Sequence, residues 1–572
     1  MRNFSKLCIL AGFLGFVGAT YLWGESIQSY NNWGSLIILS APLMVLFHRF
    51  SRKPFAKITD KYSSHLSVPQ IILVLSSTIF VLIIRFVRFP FPQGTDTPFY
   101  AFATSLMLNG RPDLIIGSSR ELTYILIMIM RYLIEPILGF SEVASFVVMP
   151  FVFAFLLVIS FMYLIKTAID DSELILLSSL TFVTSGFFIR LTWDLYSTML
   201  SLTMLNLFLG AFFRIQKSDG KRHNITMLSI LNILLMLSGS YIWLVGSFMF
   251  LVLWIHQYYV IRRQSIKPAG FLTVFFLPLP YLMLSNLFFT KLILIPSNWY
   301  ERIVTPTFAG GLSYAFLLDS HPFSFPPSWN LVNMWENPFY IWLGAISICL
   351  ILGFSNHRMR ELLLPWSLSF SVFFLATGYP DWFRLFPTML SCSIGLGLKY
   401  ISNILASMGS FSLSQRVIFR FRFRKITITR SQTVSTLLIM AALLPLSFNY
   451  AIKSPFSSPA TWTFPNKDPL NELMVIRTFL GWGNTSAIIL VNQQPYESNF
   501  AWARAIVGTD VYIGTISAFF QGVPFSAAGI NRIYINPYQK SLIIIPKHLY
   551  TDYEQIRANL TFDSFKVIEL SK

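Results

Sequence analysis

At 572 residues, 54% hydrophobic, 16% aromatic and only 12% charged, with a mean hydropathy of +0.60, the chain is far more apolar than a soluble protein of its size. That balance excludes an ordinary water-soluble enzyme and predicts a polytopic α-helical membrane protein, because lipid offers backbone groups no partner outside a helix or a closed barrel. The formal net charge of +18 has to be explained by topology before it can point to an acidic partner.

Apolar runs of roughly 16 to 22 residues, enough to cross about 30 Å of hydrocarbon at 1.5 Å per residue, recur about thirteen times. They begin near Leu7, Trp33, Val68, Ala144, Leu174, Asp194, Ile225, Tyr241, Gly270, Pro338, Leu362, Arg384 and Val434. The first, behind Arg2 and Lys6, also has the build of a signal peptide, which leaves the topology downstream unchanged. Residues 1–67 read as an N-terminal transmembrane hairpin with a basic loop, 68–450 as a transmembrane core with a first outer loop at 88–142, and 451–572 as a separate outer domain.

Orientation follows from the Lys and Arg residues. The loops 1–6, 48–67, 166–173, 214–224, 262–269, 356–361 and 399–433 hold more than half of the 43 Lys and Arg but under a quarter of the 25 Asp and Glu. The entire excess of +18 therefore falls on one side, which reads as cytoplasmic, with the N-terminus inside and residues 451–572 outside a cell membrane. The same rule removes the case for a nucleic-acid partner. The densest basic cluster, RVIFRFRFRKITITR at 416–430, interleaves Arg with Phe and Ile and suits an interfacial segment on anionic headgroups.

Cys8, Cys349 and Cys392 all fall inside expected spans, which suggests neither a disulfide nor a metal site. No Walker-type phosphate loop, HExxH or well-placed GxGxxG occurs, so ATP-driven transport by this chain alone is not expected.

Ionisable residues gather instead at the outer lip. The loop 88–142 opens on FPQGTDTPFY, which carries Asp96, and contains Glu121, Arg131 and Glu135. Two stretches within it, 99–108 and 122–138, have apolar residues at helical spacing and suit helices lying along the interface. A tight outer turn, FIRLTWDLY at 188–196, sets Arg190 and Asp194 between two spans, where Asp194 either simply opens a helix or shares a cation or hydroxyl with Asp96. A long outer loop at 291–337 carries Tyr300, Glu301 and His321 and has the length of a lid or substrate channel. The short one at 378–384, GYPDWFR, pairs Asp381 with Arg384, whose planar fork suits two phosphate oxygens and equally suits snorkelling or an ion pair. Beyond the linker at 454–468, the short apolar runs at 487–491 and 542–545 read as buried strands, with helix-compatible segments at 470–480 and 499–506, so a small α/β domain is expected. Asn484 and Asn559 there head glycosylation sequons, and Asn224 heads one in an expected cytoplasmic loop.

Taken together, GTDTPFY in a long first outer loop, two juxtamembrane helices, RLTWDLY in the next outer turn, DWFRLFP late in the chain and a C-terminal outer domain resemble the GT-C superfamily of integral-membrane glycosyltransferases. The resemblance implies transfer of a sugar from a polyprenyl-phosphate donor in the bilayer to a lipid, glycan or protein acceptor. It implies that Asp96 acts as base or metal ligand, that Asp194 contacts metal or acceptor, and that Arg384, with Arg190, binds the donor phosphate. Glu121, Tyr300, Glu301, His321 and Asp381 are then candidate substrate contacts. The cofactor implied is a divalent cation, Mg or Mn, on Asp96 and Asp194, although Tyr196 stands where a second carboxylate of that turn would be expected. The WWDYG motif of oligosaccharyltransferases is missing, which argues against transfer of a preassembled oligosaccharide to asparagine. Two other classes stay open: a polytopic transporter or flippase of a lipid or glycan, and a non-catalytic membrane scaffold.

Overall fold

The computed structural model describes residues 68–88, 97–110, 120–138, 142–183, 188, 191–192, 195–217, 222–261, 266–281, 359–363, 365–366, 369, 388, 391–399, 416–421, 424–429, 486–489, 505–506, 541–546, 560–561 and 565–570. They belong to two compact units, one drawn from Met1–Arg88, Phe151–Thr192 and Tyr196–Pro455, the other from Phe89–Pro150, Trp193–Leu195 and Phe456–Lys572. The spans expected near Leu7, Trp33, Pro338 and Val434 lie outside the described residues.

The described helices are α1 (Val68–Arg88), α2 (Thr97–Leu108), α3 (Glu121–Leu138), α4 (Glu142–Ile169), α5 (Ser172–Val183), α6 (Tyr196–Lys217), α7 (Arg222–Ser238), α8 (Ser240–Ile255) and α9 (Pro268–Phe276). A π-helical turn, His256–Ile261, follows α8. Apolar runs opening near Val68, Ala144, Asp194, Ile225, Tyr241 and Gly270 thus become helices within a few residues of where their composition starts them. Two stretches, Ser145–Ile169 and Tyr196–Gln216, are long and apolar enough to cross a membrane. The run near Leu174, expected as a span, is described as the helix α5 over Ser172–Val183 and is buried along that length.

The helices are inverted relative to those of a soluble protein. On α1 the exposed residues Ile72, Ile79, Phe80 and Ile83 form one stripe, while Ser77 and Thr78 are buried. Leu156 and Ile159 on α4 and Leu272 and Phe276 on α9 are likewise exposed. Large apolar side chains turned outward, with hydroxyls and amides turned inward, are stable when the surrounding solvent is hydrocarbon. Apolar helices of this kind make the chain a membrane protein.

Hydroxyls buried in these helices bond back one turn, as Thr78 Oγ1 does to the Val74 carbonyl at 2.9 Å and Thr203 Oγ1 to that of Met199 at 2.8 Å. Amides instead link helices. In the first unit Asn206 Nδ2 on α6 reaches Ser160 Oγ on α4 at 3.4 Å, and Asn232 Nδ2 on α7 donates to the Val274 carbonyl on α9 at 2.7 Å. Aromatic stacking fills the space between: Phe161 on Phe182 at 4.5 Å, Phe250 on Phe271 at 5.1 Å and Trp254 on Phe271 at 4.3 Å between centroids.

Two consecutive aspartates make the corner between α4 and α5. Asp170 ends α4 in the left-handed region (φ 57°), and the Asp171 carboxylate then caps α5 by accepting from the Leu174 N–H at 3.1 Å. The other Asp171 oxygen accepts from Lys399 Nζ at the end of the helical segment 391–399, and both residues are buried. The charge pattern assigns both positions to one membrane face, and the fold brings them into contact. The same segment lies so close to α5 that a Cβ at Gly395 would stand 2.7 Å from the Ser178 nitrogen and 2.9 Å from its Cα.

Two sheets are described. β1 (Arg416–Phe421) and β2 (Arg424–Thr429) form an antiparallel hairpin where the sequence suggested only an interfacial segment. β3 (Ser486–Ile489), β4 (Ser541–Pro546), β5 (Leu560–Thr561) and β6 (Phe565–Leu570) form a mixed sheet in the order β3-β4-β6-β5, with β3 parallel to β4 and the other pairs antiparallel. β3 and β4 fall on the two short apolar runs expected as strands.

Lys399→Met leaves the Asp171 charge buried alone and is expected to destabilise the protein by about 3–5 kcal/mol, whereas adding Asp171→Asn, which keeps a capping oxygen, recovers most of the loss. Melting of the purified single and double variants checks this. Gly395→Val is expected to lose at least about 1–3 kcal/mol in the same assay through overpacking, and Ser178→Ala does not rescue it because the closest obstacles include backbone atoms.

Candidate functional site

Of the residues singled out for chemistry, Glu121 is described: it opens α3 and is buried. Asp96, Asp194, Arg190, Arg384, Tyr300, Glu301, His321 and Asp381 lie outside the described residues. The chain next to two of them is well packed. Thr97, directly after Asp96, is the first residue of α2 and is fully buried. On either side of Asp194, Thr192 and Leu195 are buried, and Tyr196 is fully buried with its ring stacked on Phe153 at 5.6 Å and 9°. Tyr196 is thus a packing residue of the membrane core.

α2 and α3 are built from the two stretches expected as juxtamembrane helices. α2 ends at Asn109 and Gly110, where the Asn109 side chain donates to the Ser105 carbonyl at 2.7 Å and Gly110 takes φ +78°, a conformation glycine adopts freely. α3 presents Ile125, Ile129, Tyr132, Leu133 and Ile137 outward, while Tyr124, Ile127, Met130 and Arg131 are buried. Apolar outside with a charge inside suits a helix lying against lipid.

The charge on the inner side of α3 organises the second unit. Arg131 is 2% exposed. Its Nε donates to Glu135 Oε1 one turn on at 2.8 Å. Its Nη1 donates to Thr104 Oγ1 at 2.7 Å, Ser105 Oγ at 3.0 Å and the Ala101 carbonyl at 3.3 Å, all on α2. The same Glu135 oxygen accepts from Ser145 Oγ at the start of α4 at 3.0 Å, and the guanidinium carbon lies 5.8 Å from the Phe146 ring centroid. One ion pair therefore ties three helices together. Tyr100 and Tyr124, with centroids 5.8 Å apart, add a second α2–α3 contact.

A guanidinium bonded in this way to one carboxylate, two hydroxyls and a carbonyl is a structural cation rather than a phosphate ligand. Its effect on chemistry is indirect: it holds α2 in register against α3, and α2 is the helix that starts immediately after Asp96. Sequence reasoning lists Arg131 and Glu135 without giving them a role. The signal was their spacing of four residues in an otherwise apolar helix, which puts both on one side.

Among the described residues no group of three or more His, Cys, Asp or Glu side chains is placed to hold a metal ion. The carboxylates expected to share a divalent cation, Asp96 and Asp194, are not among those residues.

No protein-family model and no curated protein sequence matches the chain. Among solved structures it is similar to the Archaeoglobus fulgidus oligosaccharyltransferase, determined in complex with Zn and sulfate, at 12% identity and a TM-score of 0.47 over 83% of this chain and 68% of that one.

Arg131→Met is expected to cost about 3–5 kcal/mol, since it strands Glu135 beside Ser145 and removes the donors to α2. Amide exchange of the purified protein should then rise across α2, while α7 and α8 keep their protection. Glu135→Gln retains an acceptor for both partners and should raise exchange less.

Proposed function

We propose that the chain is a membrane glycosyltransferase of the GT-C type, moving a sugar from a polyprenyl-phosphate donor to a hydroxyl-bearing lipid, glycan or protein acceptor on the outer face of a cell membrane. The observation that carries this reading is the first outer loop. Asp96 directly precedes a mostly buried helix, and that helix is held against a second, lipid-facing helix by Arg131, which is itself paired with Glu135. This supports the motif resemblance of GTDTPFY, RLTWDLY and DWFRLFP, because a general base has to be held within a fraction of an ångström of its working position.

The chemistry follows from the amphiphilic donor. Its polyprenyl chain lies in the bilayer and its phosphate at the interface, so the sugar is held at the outer face without a nucleotide, and positioning supplies much of the rate. Asp96 takes the proton of the acceptor hydroxyl as the oxygen bonds to the anomeric carbon and the bond from that carbon to the phosphate oxygen breaks. Arg384 offsets the charge on the departing polyprenyl phosphate. A single displacement of this kind inverts the anomeric centre. Asp194 and Arg190 in the next outer turn, and Glu121, Tyr300, Glu301, His321 and Asp381, are the candidate substrate contacts. Asp96 and Asp194 offer hard carboxylate oxygens of the type that bind Mg or Mn. The C-terminal residues 451–572, outside the membrane in this reading, are available to meet the acceptor.

Asp96→Asn is expected to lower sugar transfer about 10²–10⁴-fold while leaving melting unchanged. The measurement is transfer of labelled sugar from polyprenyl-phosphate donors, in membranes of a host lacking the protein and at matched expression. If the wild type transfers nothing from any such donor while Asp96→Asn still restores the host's phenotype, the enzyme reading fails and transport or scaffolding replaces it.

A further inference from the structure

The buried hydroxyls of Thr181, Thr203 and Ser238 bond back to a carbonyl of the preceding turn. Ser229 on α7 and Ser247 on α8 break this habit: both are buried, and neither hydroxyl has a hydrogen-bond partner among the described residues. Asn232 Oδ1 on α7 and Trp243 Nε1 on α8 are buried without a partner in the same way.

All four belong to helix sides that face one seam. On α7, Ile225, Ser229 and Asn232 follow at i, i+4 and i+7 and share one side of the helix. That side is turned to α9: a Cβ at Gly270 would stand 2.8 Å from Ile225 Cδ1, and Asn232 Nδ2 donates to the Val274 carbonyl at 2.7 Å. On α8, Trp243, Ser247, Phe250 and Trp254 follow at i, i+4, i+7 and i+11. Phe250 and Trp254 both stack on Phe271 of α9, with centroids 5.1 and 4.3 Å from its own, so this side too is turned to α9. α7 and α8 meet at Gly246, where a Cβ would stand 2.9 Å from Leu235 Cδ2. Asn232 lies one turn before Leu235 and Ser247 directly after Gly246, so the two stand in neighbouring layers of the bundle.

The chemistry of the four atoms selects the occupant. The Val274 carbonyl can only accept, which fixes the Asn232 amide with its oxygen as the unpaired, accepting end. Trp243 Nε1 can only donate, and the two hydroxyls can do either. A bare cation would leave the indole N–H unanswered, and an anion would leave the Asn232 oxygen unanswered. Water both donates and accepts, and a polar site offering it about two to four partners retains it. Lipid supplies no hydrogen bond in its place.

We propose that the seam between α7, α8 and α9 is an internal hydration site, in which ordered water bridges Asn232 Oδ1, Trp243 Nε1 and the hydroxyls of Ser229 and Ser247 inside the apolar bundle. The inference rests on these three helices alone and is independent of the glycosyl-transfer reading.

X-ray radiolytic footprinting of the full-length protein in detergent tests it, because hydroxyl radicals formed from bound water oxidise side chains that bulk solvent does not reach. Corrected for intrinsic reactivity, Trp243 should be oxidised several-fold faster than Tyr196, which is fully buried against Phe153. Asn232→Leu, close in size but without a polar end, should remove most of that difference. Ser229→Ala and Ser247→Ala should each lower the melting temperature by removing a bridge to water, whereas loss of a hydroxyl buried dry and unpaired would raise it. The wild-type footprint and the serine variants decide the matter even if Asn232→Leu folds poorly. Three results overturn the proposal: Trp243 as protected as Tyr196, oxidation of Trp243 that persists in a well-folded Asn232→Leu and so reports opening of the bundle, or a higher melting temperature in both serine variants.

Discussion

The constraint on which the described structure depends is that a polar group turned away from water must find its partner inside the protein. With hydrocarbon outside, apolar contact alone cannot choose how the helices meet, because lipid accepts an isoleucine as readily as a neighbouring helix does. Ile72, Ile79, Phe80 and Ile83 can therefore stay at the surface of α1. The choice falls instead to the few polar contacts between helices and to close approaches such as that of Gly395 to α5. Asn206 against Ser160, Asn232 against the Val274 carbonyl and Lys399 against Asp171 are contacts of this kind, each joining segments far apart in sequence.

The same logic, applied to α2 and α3, prepares the region next to Asp96. Arg131 is buried with partners on α2, on α3 and, through Glu135, on α4. Leaving any of those partners would expose an unpaired charge to a low-dielectric interior, so the three helix segments move together or not at all. In the proposed reaction such rigidity matters because the donor is held only by its lipid and its phosphate, which leaves orientation of the acceptor to the protein. The clamp acts by position, without touching substrate.

Legibility in the sequence varied with the kind of signal each element carries. α4 and α6 are long and apolar, and composition alone places them. α3 was readable as a helix because its apolar residues recur at helical spacing around Arg131 and Glu135. α5 is buried on all sides over its described length, so it is apolar all round and carries no amphipathic stripe. The hairpin was half readable: the alternation in RVIFRF and KITIT favours strands, yet the abundance of Arg pointed first to a surface segment. Tyr196 looked like a gap in a carboxylate pair and is a buried ring stacked on Phe153.

By itself, then, the amino-acid sequence determined the solvent, the helical material, the starts of most described helices and the residue types available for chemistry. These depend on composition and on spacing within one segment, which are local. Only the tertiary structure decided that Arg131 bonds to α2, that Lys399 meets Asp171 and that Gly395 lies against the Ser178 backbone. Those pairings join residues from different segments, and many of the Lys, Arg, Asp and Glu of the chain could have satisfied the same electrostatic demand. Which of them do so follows from how the helices pack, a property no single segment carries.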